Sequence, residues 1–238
     1  MGNKTIVSIK GLTIGHEGKT LCSGISFDVC EGDCIMLCGA NGSGKTTLMK
    51  YLANNIKGTD SGNVSRKNEC IMIPARIPKV AGFTLRQFVR ISCFSQSDLY
   101  GKLRQAEEDA LDNAITSLEL KQLADRDIST LSDGEFQKAS IASALVRKAN
   151  IILLDEPTAF LDAQNRISVL QTLRSICDSS TNTNSAIRPA IIFSTHDLHD
   201  GLQVCNKVFA IGADGVFHCS NEDSAQSKSD TVSRIFSL

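Results

Sequence analysis

The stretch Gly39-Ala40-Asn41-Gly42-Ser43-Gly44-Lys45-Thr46 constrains this chain more than any other part of it. Cys34 to Cys38 before it has the apolar texture of a buried strand, and Lys45 to Asn54 after it carries Leu48, Tyr51 and Leu52 at helical spacing. A strand, a glycine-rich turn and a helix in that order gather successive backbone N–H groups around one concavity at a helix N-terminus, where an anion is stabilised. Lys45 adds a point charge there, and Thr46 a hydroxyl suited to a divalent cation. The pattern matches a phosphate loop and predicts nucleotide binding. No glycine triplet has the dinucleotide spacing, so a Rossmann reading fails.

The 238 residues suffice for one large domain with its own core. Ile6 to Ile9, Leu12 to Ile14 and Ile25 to Val29 read as short strands, the last ending at the turn Glu31-Gly32-Asp33. Ser61 to Val64 and Cys70 to Ile73 suggest a further strand pair ending at Pro74. From Thr84 to Leu145 helical patterns dominate, with Leu111, Ile115 and Leu118 on one face. Ile151 to Leu154 and Ala190 to Ser194 are apolar throughout, as strands of a parallel sheet are, and the amphipathic Asn165 to Cys177 between them completes a βαβ crossover. Ser179 to Ser185 reads as an exposed loop, and Val232, Ile235 and Phe236 predict a last helix that docks.

Composition removes several classes. With 25 Lys and Arg against 26 Asp and Glu, the net charge of -1 does not suggest a surface built as a whole to neutralise a phosphate backbone, which leaves room only for a local basic patch, and no nucleic-acid partner is expected. The longest apolar run, Cys34 to Ala40, falls far short of the roughly 20 residues of a membrane-spanning helix. The N-terminal residues lack the apolar segment of a secretory signal, which places the expected location in the cytoplasm. The nine cysteines show no two-residue spacing of a zinc or redox motif and read as buried apolar residues in a reducing compartment.

Downstream of the loop, Ile151 to Leu154 runs into Asp155 and Glu156. On an extended strand end the two side chains point to different sides, so Asp155 is expected to reach a Mg²⁺ hydration shell and Glu156 an attacking water. Ser132 and Glu135 in Leu131-Ser132-Asp133-Gly134-Glu135 have capping-box spacing before the helical pattern Phe136 to Val146, and a capped helix start is also an anion site. Taken together with Phe160-Leu161-Asp162 and Ser194-Thr195-His196-Asp197, these elements resemble the nucleotide-binding subunit of ABC transporters across nearly the whole chain. In that resemblance Gly39 to Thr46 corresponds to Walker A, Ile151 to Glu156 to Walker B, Leu131 to Glu135 to the signature sequence, Asp162 to the D-loop and His196 to the switch histidine.

The resemblance implies an α/β phosphate-loop NTPase: a parallel-sheet core, an N-terminal antiparallel β subdomain and a helical subdomain inserted at about residues 83–148 of a single 1–238 domain. It implies ATP and Mg²⁺ as ligands, with Thr46 and Asp155 on the metal. It assigns Gly39, Ala40, Asn41, Gly42, Ser43, Gly44, Lys45, Thr46 and Thr47 to the phosphates, and Lys45, Glu156 and His196 to catalysis. Two cassettes would pair head to tail, Ser132, Asp133, Gly134 and Glu135 of one covering the ATP of the other. A separate membrane permease and a periplasmic or lipoprotein substrate-binding protein follow as partners, with the chain peripheral on the cytoplasmic face of the inner membrane. The wording of the motifs is most similar to importers of iron–siderophore, haem and cobalamin complexes, with zinc and manganese importers next. A soluble ABC ATPase without a permease, such as that of iron–sulfur cluster assembly, is the alternative. Three departures from the family pattern stand out. Ala75 and then Arg76 occupy the place of the Q-loop glutamine, His16 replaces the aromatic that stacks on adenine, and Asp133 replaces the first signature glycine.

Overall fold

The computed structural model describes residues 4–53, 70–93, 103–178, 188–220 and 223–236. Two long antiparallel strands, β1 (Thr5–His16) and β2 (Lys19–Cys30), lead into β3 (Cys34–Gly39) and helix α1 (Lys45–Leu52). Strand β4 (Cys70–Ile73) precedes the helical stretch α2 (Leu85–Ile91), α3 (Gln105–Ser117) and α4 (Asp133–Leu145). Then follow β5 (Ile151–Leu154), α5 (Ala163–Asp178), β6 (Ala190–Ser194), α6 (Leu198–Val204), β7 (Lys207–Ile211), β8 (Phe217–Cys219) and α7 (Ala225–Ser233).

Among the described residues the main sheet runs β4-β5-β6-β3-β7-β8, parallel except for the antiparallel edge pair β7 and β8. The β5–α5–β6 crossover stands as the sequence predicts. Strand alternation divides the core into two layers. Ile35 and Leu37 of β3, Ile151 and Leu153 of β5, and Ile192 of β6 pack under the β1–β2 sheet and α1. Cys34, Met36 and Cys38, with Ile152, Leu154, Ile191 and Phe193, face the opposite way, and their hydrophobic cluster continues without a break into Leu85, Leu111, Ile115 and Phe136 of the helical stretch. The predicted face Leu111, Ile115 and Leu118 is buried, and α7 docks beside β7 and α6, with Val232 buried in the core and Ile235 and Phe236 packed against it.

Several expectations need correction. The strands read as Ile6 to Ile9 and Leu12 to Ile14 are one strand, with register shifts on either side of Leu12 and Gly11 at φ 65°. A left-handed glycine admits the extra residue of a bulge, so pairing resumes beyond it. Strand β4 pairs in parallel with β5; Ser61 to Val64, Asn54 and the loop Ser179 to Ser185 lie outside the described residues. Cys30, Cys70 and Cys219 are half-buried, while the other six cysteines are buried. Burial pushes the Cys38 and Cys205 thiols up to about 12 and those of Cys22 and Cys219 to about 11, which leaves them protonated and unreactive at neutral pH. No helix among the described residues is long and apolar enough to cross a membrane.

The turn before β3 is held by a buried charge. Asp33, 3% exposed, accepts from the Cys30 backbone N–H at 2.7 Å and from Lys207 Nζ at 2.6 Å. Burial opposes the Lys207 charge, yet the Asp33 carboxylate overrides it and holds Lys207 above the ordinary lysine range. The pair thus staples the entry of β3 to the start of β7. Asp33→Ala is expected to lower the unfolding free energy by about 3 kcal/mol, because it strands a part-buried ammonium. Urea titration measures this, and a loss below about 1 kcal/mol would place Lys207 in solvent contact sufficient for its charge.

Candidate nucleotide site

Backbone geometry makes the loop after β3. A Cβ on Gly39 would stand 2.5 Å from the Ile211 carbonyl oxygen and 2.7 Å from Ser43 Oγ, so only glycine lets β3 turn so close to β7. Gly44 caps α1 at φ 106° with no side-chain hydrogen bond, which leaves the N–H groups of the first helical turn open to a ligand. Lys45 folds back under the loop, donating to the carbonyls of Gly39 at 2.9 Å and Ala40 at 3.1 Å. Burial lowers its pKa below the usual lysine range, partly offset by the carboxylates of Glu156 and Asp155. Ser43 Oγ is buried with no hydrogen-bond partner. An orphan hydroxyl and a desolvated ammonium under a ring of open N–H groups are what a polyphosphate requires.

The acids after β5 meet this loop. Asp155 Oδ2 accepts from Thr46 Oγ1 and its Oδ1 from Ser194 Oγ, both at 2.8 Å. The same Ser194 hydroxyl accepts from the Glu156 N–H at 2.8 Å. Glu156 is not on an extended strand end: β5 stops at Leu154, and Glu156 has φ 48°. The different directions of the two acids therefore come from a left-handed turn, not from strand alternation. Glu156 Oε1 lies 2.9 Å from His196 Nε2. Thr46 and Asp155 offer adjacent oxygen donors, the set a hard cation such as Mg²⁺ takes.

Lys45, Thr46 and Glu156 open onto a cleft of about 520 Å³ whose wall also includes Asn41, Gly42, Gly44, Thr47, Lys19 and His16, with Asp155 and His196 outside the lining behind Thr46 and Glu156. His16 stands at the rim, its side chain 75% exposed. Ser132, Asp133, Gly134, Glu135 and Asp162 do not line this cleft. Ser132 does cap α4 as predicted, its hydroxyl accepting from the Glu135 N–H at 3.3 Å while the Glu135 carboxylate accepts from the Ser132 N–H at 2.7 Å. That backbone hydrogen bond holds Glu135 below the usual carboxylate range. Asp133 is countered by Lys79, whose Nζ lies 2.6 Å from Asp133 Oδ1 and 2.8 Å from the Leu131 carbonyl oxygen. Ala75 carries no polar side-chain atom, and Arg76 turns to the Phe160 ring, 4.6 Å from its centroid.

The ABC transporter family profile matches residues 22–159, more than half of the chain. The chain belongs to the ABC transporter family. As an ATP-binding cassette it binds and hydrolyses ATP. It is 30% identical over 237 residues to the zinc import ATP-binding protein ZnuC of Agrobacterium fabrum, covering 99% of this chain and 73% of that protein. It is 27% identical over 215 residues to the petrobactin import ATP-binding protein FpuD of Bacillus anthracis, covering 85% of this chain and 76% of the relative. Among solved structures, a metal-chelate type ABC transporter in an inward-facing conformation superposes with a TM-score of 0.84 at 23% identity, over 99% of this chain and 90% of that one.

The sequence points to the loop, the two acids and the histidine, and includes Ser194 only as part of the histidine motif, without its contacts to the acids; it gives no sign of Lys79. Ser194 had a local signal, as the last residue of an apolar strand beside His196. Lys79 had none, since its partner lies 54 positions away. Lys45→Ala is expected to abolish ATP binding in a calorimetric titration, and unchanged affinity would overturn the placement of the phosphates on this loop. Lys79→Met is expected to lower ATPase activity about two- to fivefold by leaving an uncompensated negative charge at the start of α4. Lys79→Met/Asp133→Asn should recover most of it; equal loss in both would mean that Lys79 acts through the Leu131 carbonyl instead.

Proposed function

We propose that this cassette works as a head-to-tail pair with a second copy and drives import through a separate permease. The observation that carries the reading is the Thr46–Asp155–Ser194–Glu156–His196 chain of hydrogen bonds beside Lys45, with the capped Ser132 turn outside the same cleft. One cassette would hold ATP on Gly39 to Thr47 with adenine against His16, and the partner copy would cover it with the turn from Ser132 to Glu135. Lys45 would exchange its carbonyl contacts for phosphate oxygens. Thr46 and Asp155 would hold Mg²⁺, which when bound neutralises phosphate charge.

Glu156 is then the general base. Its carboxylate takes a proton as the water oxygen bonds to the γ-phosphorus, and the bond to the β–γ bridging oxygen breaks with its electron pair leaving on ADP. His196, held by Glu156, faces the γ-phosphate, and Asp162 sits at the pair's interface.

The described part of residues 83–148, residues 83–93 and 103–148, would form the inserted helical subdomain in this reading. Val80 and Phe83 ahead of α2 and Ile91 at its end are exposed by 53%, 39% and 55%, and in this reading the permease docks on that helical stretch. The chain would sit peripherally on the cytoplasmic face of the inner membrane, with a periplasmic or lipoprotein binding protein delivering cargo. An iron–siderophore, haem or cobalamin complex is the proposed freight. The petrobactin relative and the metal-chelate transporter support that chemistry, and the zinc relative supports metal import in general.

Glu156→Gln is expected to bind ATP normally, hydrolyse it at least about a hundredfold more slowly and elute as a dimer with Mg-ATP. A monomeric sizing profile would overturn the paired reading, and retained hydrolysis would remove Glu156 from its role.

A further inference from the structure

The histidine that faces Glu156 is not held by packing. Its side chain is 49% exposed, and it follows Ser194 and Thr195 at the open end of β6. Its position is set from both sides of the backbone. On one side Ser194 is bound to Asp155 and Glu156. On the other, Asp197 donates its N–H to Thr195 Oγ1 at 3.0 Å and caps α6, its Oδ1 accepting from the Asp200 N–H at 3.2 Å.

The remaining Asp197 oxygen, Oδ2, accepts from Arg166 Nη1. Asp200 Oδ2 stands 3.9 Å from the same nitrogen, so two carboxylates share one guanidinium. The pair is about 30% exposed on each side, and Arg166 Nε is buried without a hydrogen-bond partner. Partial burial screens this ion pair less than a fully exposed one, and the capping bonds of Asp197 restrict its geometry.

Arg166 lies in the first turn of α5, where its own N–H donates to the Asp162 carbonyl at 2.9 Å. Its neighbour Asn165 donates backbone and side-chain N–H groups to the Asp162 carboxylate, both at 2.8 Å. The Asn165 side chain also rests on Gly134, where an added Cβ would stand 3.0 Å from Asn165 Oδ1. One helical turn therefore touches the α4 start, the Asp162 loop and the histidine segment.

We propose that Arg166 is a positioning residue of the ATPase: through Asp197 it holds His196 against Glu156 and makes that contact depend on the setting of the Asp162 and Gly134 segments. This rests on the reading of Glu156 and His196 as the reacting pair. Arg166 does not line the nucleotide cleft, so its effect passes through Asp197 and the backbone to His196.

The test uses single-turnover ATP hydrolysis by the full chain, with ATP affinity measured separately. Arg166→Met should lower the rate about tenfold or more, as a displaced catalytic group does, while ATP affinity stays within about twofold. Arg166→Lys, which keeps a cation, should recover part of the loss. Arg174→Met, which breaks the 2.8 Å pair with Asp178 farther along the same helix, should leave the rate unchanged and controls for helix stability. Adding Arg166→Met to His196→Ala should cost nothing further, and the His196 side-chain nitrogen resonances should shift in Arg166→Met but not in Arg174→Met. Full additivity with His196→Ala, or an Arg166→Met rate equal to that of the unaltered chain, overturns the proposal. Should His196→Ala itself hydrolyse ATP normally, the reading of the reacting pair fails first. If Arg166→Met does not fold, Asp197→Asn, which keeps the size of the side chain, must reproduce the loss and the His196 shift; normal values in it overturn the proposal.

Discussion

The Asp155 carboxylate joins three elements that are distant in sequence. Its two oxygens take one hydroxyl from the first turn of α1 and one from the end of β6, and its backbone N–H bonds the Ile73 carbonyl at the end of β4. The parallel register brings these groups level: Leu37 sits opposite Ser194, Leu154 opposite Phe193, and Ile73 opposite Leu154. The carboxyl ends of the strands thus form one edge, where ligands of open α/β sheets bind. Ser194 extends the same contact to the Glu156 N–H, so one hydroxyl fixes the relation between the two acids. His196, two residues on, then needs only a short turn to reach Glu156.

Features written within a few residues could be read from the sequence. The phosphate loop, the capping box at Ser132 and Glu135, and the apolar strands at 34–38, 151–154 and 190–194 all appear where spacing puts them. Long-range charge pairs could not be read that way. Nothing near Arg166 names Asp197, and nothing near Lys79 names Asp133, because each pair exists only after the sheet and the helical stretch have packed. Backbone exceptions were hidden for a different reason. Gly11 looks like a strand end but forms a bulge, and Glu156, ahead of Pro157, would be expected in an extended conformation. Its positive φ is uncommon for a non-glycine residue and is held by Ser194 on the backbone and His196 on the side chain.

Two of the three departures from the family pattern, at Ala75 and at Asp133, are linked in space. The segment after β4 lacks the glutamine at Ala75, and its two cations serve the protein itself. Arg76 covers the half-exposed Phe160, and Lys79 neutralises Asp133 beneath the Ser132 cap. The two contacts tether one short segment both to the loop ahead of Asp162 and to the start of α4. Arg166 and Asn165 join those same two regions to the histidine from the opposite side. A shift of the helical stretch relative to the sheet would therefore strain charged contacts on both flanks, whereas a glutamine alone would sense only one.

The order of binding events follows from what the loop lacks. Lys45 has lost water on burial and is satisfied by two neutral carbonyls, while Ser43 Oγ has lost water and gained nothing. Both costs are met by folding, through the packing of β3 between β6 and β7, and recur at no later step. In the proposed binding mode a phosphate would replace neutral acceptors with charged ones, and charge-assisted hydrogen bonds are roughly twice as strong as neutral ones. The gain would be larger because Lys45 is already largely desolvated and α1 starts with no side-chain cap on its first N–H groups. Preorganisation of this kind lets a chain with a net charge of only -1 hold a highly charged nucleotide. The favourable charge is gathered at the cleft, in the buried Lys45 ammonium, the start of α1 and Lys19 on the wall.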